Sequence, residues 1–231
     1  MTNSNDRVTA LQLDTASGIS YRLRQPVPAR PRKCVILLHG VGGNEMNLVD
    51  LAAGLNDETL LVFPQGLLQM GAQQFAWFRV NFTPAGPSIV SEEAEHSRKL
   101  LIDFVQRLQT RYAIAGQNTV IAGFSQGGIL SASVALSTPE IVAGFGLLSG
   151  RILPELKPHI ADKTQLAPLH AFVAHGELDA TLPVVWAQRS DQWLKELGVQ
   201  SSSHRYPIGH SISAAMHADF LNWVKGLSRA A

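Results

Sequence analysis

Apolar residues in this chain gather into short unbroken runs separated by longer stretches of mixed character, the pattern left by strands buried on both faces of a parallel sheet. Cys34-Val35-Ile36-Leu37-Leu38 is the first such run, and it ends in His39-Gly40. Residues 60–63, 119–122, 145–148 and 169–174 repeat it, with helical patterns between several of them. Alternation of this kind predicts βαβ units and an α/β fold with a mostly parallel central sheet and helices on both faces. The clearest helix is Ser91–Tyr112, where Leu100, Leu101, Phe104, Val105 and Leu108 recur at helical spacing, with Gly116 as its expected terminator. Further helices begin near Gln126, Pro183 and Ser213. The Pro183 helix carries Val184, Val185, Trp193, Leu194 and Leu197 and stops at Gly198.

Both ends of this pattern differ from its middle. Two alternating segments, 8–13 and 19–24, flank Thr15-Ala16-Ser17-Gly18 and predict an N-terminal β-hairpin, while 201–206 supplies a final strand. Residues 64–87 and 150–168 show no regular period; the first is rich in Gln, Gly and aromatic residues, and the second is interrupted by Pro154, Pro158 and Pro168. No repeat or linker divides the chain, so residues 1–231 are expected to form one domain.

Composition removes several classes of function. The chain has 231 residues, 45% hydrophobic and 16% charged, with 19 basic against 18 acidic side chains, the profile of a globule with a sizeable core. A net charge of +1 gives no electrostatic footprint for nucleic acid or an anionic membrane. The single cysteine, Cys34, has no partner for a disulfide or a zinc cluster. With neither a signal-peptide pattern nor a long apolar span, a cytoplasmic location is expected.

Chemistry enters at Gly123-Phe124-Ser125-Gln126-Gly127, a G-x-S-x-G motif directly after a buried strand and directly before a small-residue helix. That context gives the motif its meaning. The serine sits on a strained strand-to-helix turn, the glycines admit neighbouring backbone, and the helix N-terminus points N–H groups at developing negative charge. A glycine-rich turn that merely contains serine is the bland alternative, and the downstream partners argue against it.

A serine hydroxyl becomes a nucleophile when a histidine accepts its proton and a carboxylate orients that histidine. On an elbow of the α/β-hydrolase type the chain order is serine, acid, histidine. Asp179, in Ala174-His175-Gly176-Glu177-Leu178-Asp179, follows a buried run and is the expected acid; Glu177 is its nearest rival, and Asp162 and Asp191 read as solvated carboxylates. His210, in Pro207-Ile208-Gly209-His210-Ser211, follows the last strand and is the expected base. His204 and His217 fall inside a strand and a helix, and His39, His96, His159, His170 and His175 precede the acid.

The loop Gly40-Val41-Gly42-Gly43-Asn44 and the residue after the serine are expected to supply an oxyanion hole from the backbone N–H groups of Val41 and Gln126, each contributing about 3 kcal/mol at the transition state. Neither phosphate-loop pattern is present. His39 has no second ligand at metal spacing, so it is expected to be a hydrogen-bonding scaffold and no metal is assigned. Leu67, Leu68, Met70, Phe75, Trp77 and Phe78 are the candidates for an apolar substrate cleft, with core packing as the alternative.

Taken together, the Leu-His-Gly-x-Gly-Gly-Asn-Glu segment from Leu38, the Trp77-Phe78 pair, Gly-Phe-Ser-Gln-Gly-Gly, the His-Gly-x-x-Asp loop and the terminal Gly-His resemble the phospholipase/carboxylesterase family of α/β-hydrolases, which includes bacterial carboxylesterases and acyl-protein thioesterases. The resemblance implies a single-domain hydrolase without a cofactor, the triad Ser125, Asp179 and His210, an oxyanion hole at Val41 and Gln126, and modest acyl chains on carboxylic or thio esters. Arg79 departs from the pattern, standing where many relatives carry aspartate, and bears on the alcohol-side specificity. The leading expectation is a serine carboxylesterase acting on a small-molecule ester of short to medium acyl chain, with no nucleic-acid partner and no stable membrane association, and with a homodimer compatible with the composition. An acyl-protein thioesterase or lysophospholipase shares the same carbonyl chemistry. A non-catalytic ligand-binding member of the fold is the alternative from another class.

Overall fold

The computed structural model describes residues 7–83 and 86–227, built around one eight-stranded sheet. Its strands are β1 (Gln12–Asp14), β2 (Ile19–Leu23), β3 (Lys33–Leu38), β4 (Thr59–Pro64), β9 (Thr119–Phe124), β10 (Gly144–Leu148), β11 (His170–Gly176) and β12 (Gln200–Tyr206), in the order β1-β2-β4-β3-β9-β10-β11-β12. β1 and β2 pair antiparallel, as do β2 and β4, and every other pair is parallel. Two small antiparallel hairpins stand apart, β5 (Leu68–Gly71) with β6 (Gln74–Ala76) and β7 (Val80–Thr83) with β8 (Gly86–Ile89).

The unbroken apolar runs have a direct physical cause. Successive residues of a strand face opposite sides of the sheet. In β3, Ile36 and Leu38 enter one core with α1 (Ser91–Tyr112), α2 (Gln126–Ser137) and α4 (Val185–Leu197), while Val35 and Leu37 enter a second core with α5 (Ala214–Gly226) and the 48–55 turn. With both faces covered, alternation disappears from the sequence. The central strand β9 behaves alike, Ile121 facing the first core and Val120 and Ala122 the second.

This topology also locates the site. From β3 the chain runs to β4 on one side, and β9 then pairs on the other side of β3. The strand order therefore reverses between β3 and β9, and in open α/β sheets a ligand crevice forms at the carboxyl ends of strands at such a switch point. The 39–44 loop leaves β3 there, and Ser125 leaves β9 there.

Several expectations change in detail. Helix α1 has the bounds read from the sequence but ends on Ala113 in the left-handed region at φ 52°, not at Gly116. Gly116 serves packing instead: a Cβ there would lie 2.1 Å from the Glu140 carbonyl oxygen. The 64–87 stretch, expected to be irregular, forms the two hairpins, whose three- and four-residue strands are too short to show a period. Residues 150–168 contain a 3-10 turn, Pro154–His159, and a one-turn helix α3 (Lys163–Leu166) closed by a capping box between Asp162 and Gln165. The first strand of the N-terminal hairpin is shorter than 8–13; Val8 keeps only an isolated bridge to Arg24.

Candidate active site

The turn between β9 and α2 is built by steric necessity. Gly127 lies so close to β3 that a Cβ on it would sit 1.9 Å from the Leu38 carbonyl oxygen, and a Cβ on Gly123 would sit 2.4 Å from the Gly127 carbonyl carbon. Only at this approach can the helix start directly after the strand. Ser125 at the apex takes φ 54° and ψ −116°, a strained combination for a residue with a Cβ. Its N–H donates to the Leu148 carbonyl at 2.8 Å and its carbonyl accepts from Ile129 N–H at 3.0 Å, so neighbouring elements hold the strained turn. Gly127→Ala is therefore expected to lower stability by at least about 3 kcal/mol, read as a drop in denaturant midpoint at unchanged m-value.

The three residues selected by chain order meet at this turn. His210 Nε2 lies 3.0 Å from Ser125 Oγ, and His210 Nδ1 lies 2.7 Å from Asp179 Oδ2. A carboxylate only accepts, which puts the imidazole proton on Nδ1 and leaves the Nε2 lone pair to accept a hydrogen bond from the serine hydroxyl. The other oxygen, Asp179 Oδ1, accepts from the amides of Thr181 at 2.9 Å and Leu182 at 2.8 Å. Asp179 is thus fixed at both oxygens and is 4% exposed, whereas its rival Glu177 points to solvent. The Phe124 ring packs at 4.8 Å from the His210 ring and limits its tilt.

His175, which precedes the acid in the chain and so falls outside the expected order, stands beside Asp179. Its ring is fully buried, with Nε2 2.7 Å from the Leu182 carbonyl oxygen and 3.4 Å from Asp179 Oδ2. Nε2 therefore carries the hydrogen and bonds to Leu182, bracing the loop that holds the carboxylate. Its position at the end of β11, four residues before Asp179, is the signal that could have found it.

His39 has the scaffold geometry expected of it. Its Nδ1–H donates to the Gly40 carbonyl at 2.7 Å and its Nε2 accepts from Gly66 N–H at 2.9 Å. Burial holds both His39 and His175 below the ordinary histidine range, in the neutral form their hydrogen bonds require. Below pH 6.5 the unfolded chain protonates these two side chains while the native state resists, so native stability is expected to fall as pH drops. The slope is up to about 1.4 kcal/mol per pH unit for each histidine, and chemical denaturation at about pH 7 and about pH 5 measures it.

Two amides of the 39–44 loop are used within the fold. The Gly42 and Gly43 amides are committed to the carbonyls of Phe75 and Gly40, at 2.9 and 3.1 Å. Val41 itself lines the cleft together with Gln126. The Gln126 side chain, for which the sequence suggests no task, has a structural role. Its Oε1 accepts from Trp77 N–H at 2.7 Å and its Nε2 donates to the Phe78 carbonyl at 2.6 Å, clamping that pair to the start of α2.

The expected cleft residues mostly lie elsewhere. Phe78 lines the cavity at Ser125, but Trp77 is a core residue, 1% exposed, with its indole N–H donating to the His39 carbonyl at 3.0 Å. Leu67 packs against the first core, Met70 is 56% exposed on β5, and Leu68 and Phe75 belong to the β5–β6 hairpin that buttresses the 39–44 loop. Hairpin pairing takes these side chains away from the serine. The wall is made instead by Val80, Ile89, Phe124, Ile129 and Leu182, joined by Arg151 and Thr181, and encloses about 150 Å³. These residues come from separate segments of the chain, so no single stretch of sequence announces them. Cys34, buried in β3 with its thiol pushed up to about 12 by burial, takes no part. Among the described residues no group of His, Cys, Asp and Glu is arranged to hold a metal ion.

Known proteins share this architecture. The model of the phospholipase/carboxylesterase family matches residues 26–227. An acyl-protein thioesterase 1 from Eremothecium gossypii is 29% identical over 220 residues, covering 88% of this chain and 92% of its own length. A probable carboxylesterase from Oryza sativa subsp. japonica is 26% identical, covering 90% of this chain and 84% of that one. Among solved structures, a carboxylesterase from Mesorhizobium loti superposes with a TM-score of 0.78 at 25% identity, over 94% of this chain and all of that chain. A match across nearly the full length, on an α/β sheet with its serine elbow at the switch point, identifies the chain as a member of the phospholipase/carboxylesterase family of α/β-hydrolases.

Proposed function

We propose that the protein is a serine carboxylesterase, a single α/β-hydrolase domain in which Ser125, His210 and Asp179 act as nucleophile, base and acid. The observation that carries this reading is the continuous hydrogen-bonded line from Ser125 Oγ through His210 to Asp179, at 3.0 and 2.7 Å. Ser125 Oγ attacks the ester carbonyl as its proton passes to His210 Nε2. The carbonyl oxygen becomes an oxyanion, received by the amides of Val41 and Gln126. Collapse breaks the bond to the alcohol, which leaves with the proton from His210, and an acyl-Ser125 ester remains. Water then gives a proton to His210 and attacks the same carbonyl; as the acyl–Oγ bond breaks, His210 returns that proton to Ser125 Oγ and the acid leaves.

The cleft size bears on the substrate. A cavity near 150 Å³ is about the size of one that holds a benzene molecule, so an acyl group of about six carbons fills it. We therefore favour short acyl chains within the short-to-medium range. A thioesterase reading is supported by the relatives named acyl-protein thioesterase 1, and the same triad serves a thiolate leaving group. Turnover of p-nitrophenyl esters and matched thioesters from two to twelve carbons tests both. The esterase reading expects kcat/KM to peak at or below about six carbons and to favour the oxygen esters; a peak at the longest thioesters would overturn it in favour of the second reading. We further propose that it acts on a small molecule in the cytoplasm; among the described residues no helix is long and apolar enough to cross a membrane.

A further inference from the structure

One side chain in the cleft has no role in the acyl-transfer chemistry above. Arg151 follows β10 by three residues and lines the same cavity as Ser125 and His210. It starts beside the nucleophile: a Cβ on the preceding Gly150 would lie 3.0 Å from the Ser125 carbonyl oxygen. Although it is only 7% exposed, an arginine keeps its charge, so the fold holds a cation in a wall whose other side chains are neutral or apolar apart from the titratable His210. No aspartate or glutamate stands among the described residues of that wall.

The cation is oriented rather than loose. Its guanidinium stacks at 4.5 Å on the Trp186 ring and has further protein contacts. Arg189 lies against the same indole at 4.8 Å, which adds positive potential on this side of the site. Glu155, exposed on the 3-10 turn, is the carboxylate that acts on Arg151. Stacking on the flat face directs the N–H fork edge-on, and with five donors a guanidinium serves protein and ligand together.

We propose that Arg151 makes this cleft selective for esters bearing an anionic group, a carboxylate or a phosphate, a few bonds from the scissile carbonyl. The proposal rests on the serine-esterase reading and narrows its substrate class. Apolar lining then accommodates the short spacer, and the guanidinium receives the charge at its end. A neutral acyl chain of equal length leaves the buried cation without that added partner.

Substrate pairs matched in size test this directly. The p-nitrophenyl monoester of glutaric acid is compared with p-nitrophenyl pentanoate, and an acetyl ester of a phosphate-bearing alcohol with its neutral methyl-capped analogue, using wild type, Arg151→Gln and Arg151→Lys. Wild type is expected to favour the anionic member of at least one pair by about tenfold in kcat/KM. Arg151→Gln is expected to lose that preference, and Arg151→Lys to keep part of it. Because the readout is a ratio within one protein sample, partial misfolding of a variant cancels. The carboxylate and phosphate arms identify which anion is recognised. Hydrolysis of both members of each pair at equal rates by wild type, or a preference that survives in Arg151→Gln, would overturn the proposal and leave the esterase reading intact. Failure of wild type to hydrolyse any of these esters would overturn the reading beneath it as well.

Discussion

Ser125→Ala is expected to lower kcat for ester hydrolysis by about 10⁶-fold while leaving the fold in place. Alanine retains the Cβ, so the strained backbone at φ 54° is neither relieved nor worsened, and its hydrogen bonds to Leu148 and Ile129 are made by main-chain atoms. What disappears is the atom that bonds to the acyl group. Residual hydrolysis would come from the Val41 and Gln126 amides polarising the carbonyl toward water. Since serine and histidine act as a unit, a Ser125→Ala, His210→Ala double variant is expected to lose no more than either single one. Steady-state kinetics alongside a thermal melt checks the claim, and the melt should move by no more than a few degrees.

Asp179→Asn is expected to lower kcat by about 10⁴-fold, through the tautomer of a neighbour rather than through any contact with substrate. The asparagine carbonyl oxygen can replace Oδ1 and accept from the Thr181 and Leu182 amides. Its NH₂ group then faces His210 Nδ1, where Oδ2 had been. Two donors cannot share that 2.7 Å contact, so the imidazole proton shifts to Nε2 and the lone pair turns away from Ser125. A serine facing an N–H has no base. Measurement of kcat, with NMR of the His210 ring nitrogens to identify the tautomer, separates this mechanism from simple loss of structure.

Much of this site is legible in the amino-acid sequence, for reasons that depend on chain order. Ser125 and Asp179 each follow an apolar run that folds as a buried strand, and His210 follows the final strand, Gln200–Tyr206, which is polar and lies at the sheet's edge. The parallel sheet delivers the carboxyl ends of β9, β11 and β12 to one edge. The strands themselves stand out because both faces are covered and every residue of a run has to be apolar.

The cleft is not legible in the same way, because its wall is assembled across distance. Val80, Ile129 and Leu182 have no spacing in common, and Arg151 sits in a proline-interrupted stretch with no periodic signal. Trp77 shows the opposite failure, an aromatic residue beside the site that hydrogen bonding to His39 and Gln126 draws into the core. His175 is passed over because chain order seeks the base after the acid, and a bracing residue obeys no such order; only its place at the end of β11 marks it.

Covalent labelling with a fluorophosphonate, followed by peptide mass spectrometry, tests the central claim most directly. The reagent needs an activated serine and an oxyanion hole together and depends on no particular substrate. Stoichiometric phosphonylation confined to Ser125, abolished in Ser125→Ala and slowed in Asp179→Asn, is the expected result. Folded wild-type protein that resists the reagent, or that is modified at another residue while Ser125 stays free, would contradict the assignment of Ser125 as the nucleophile.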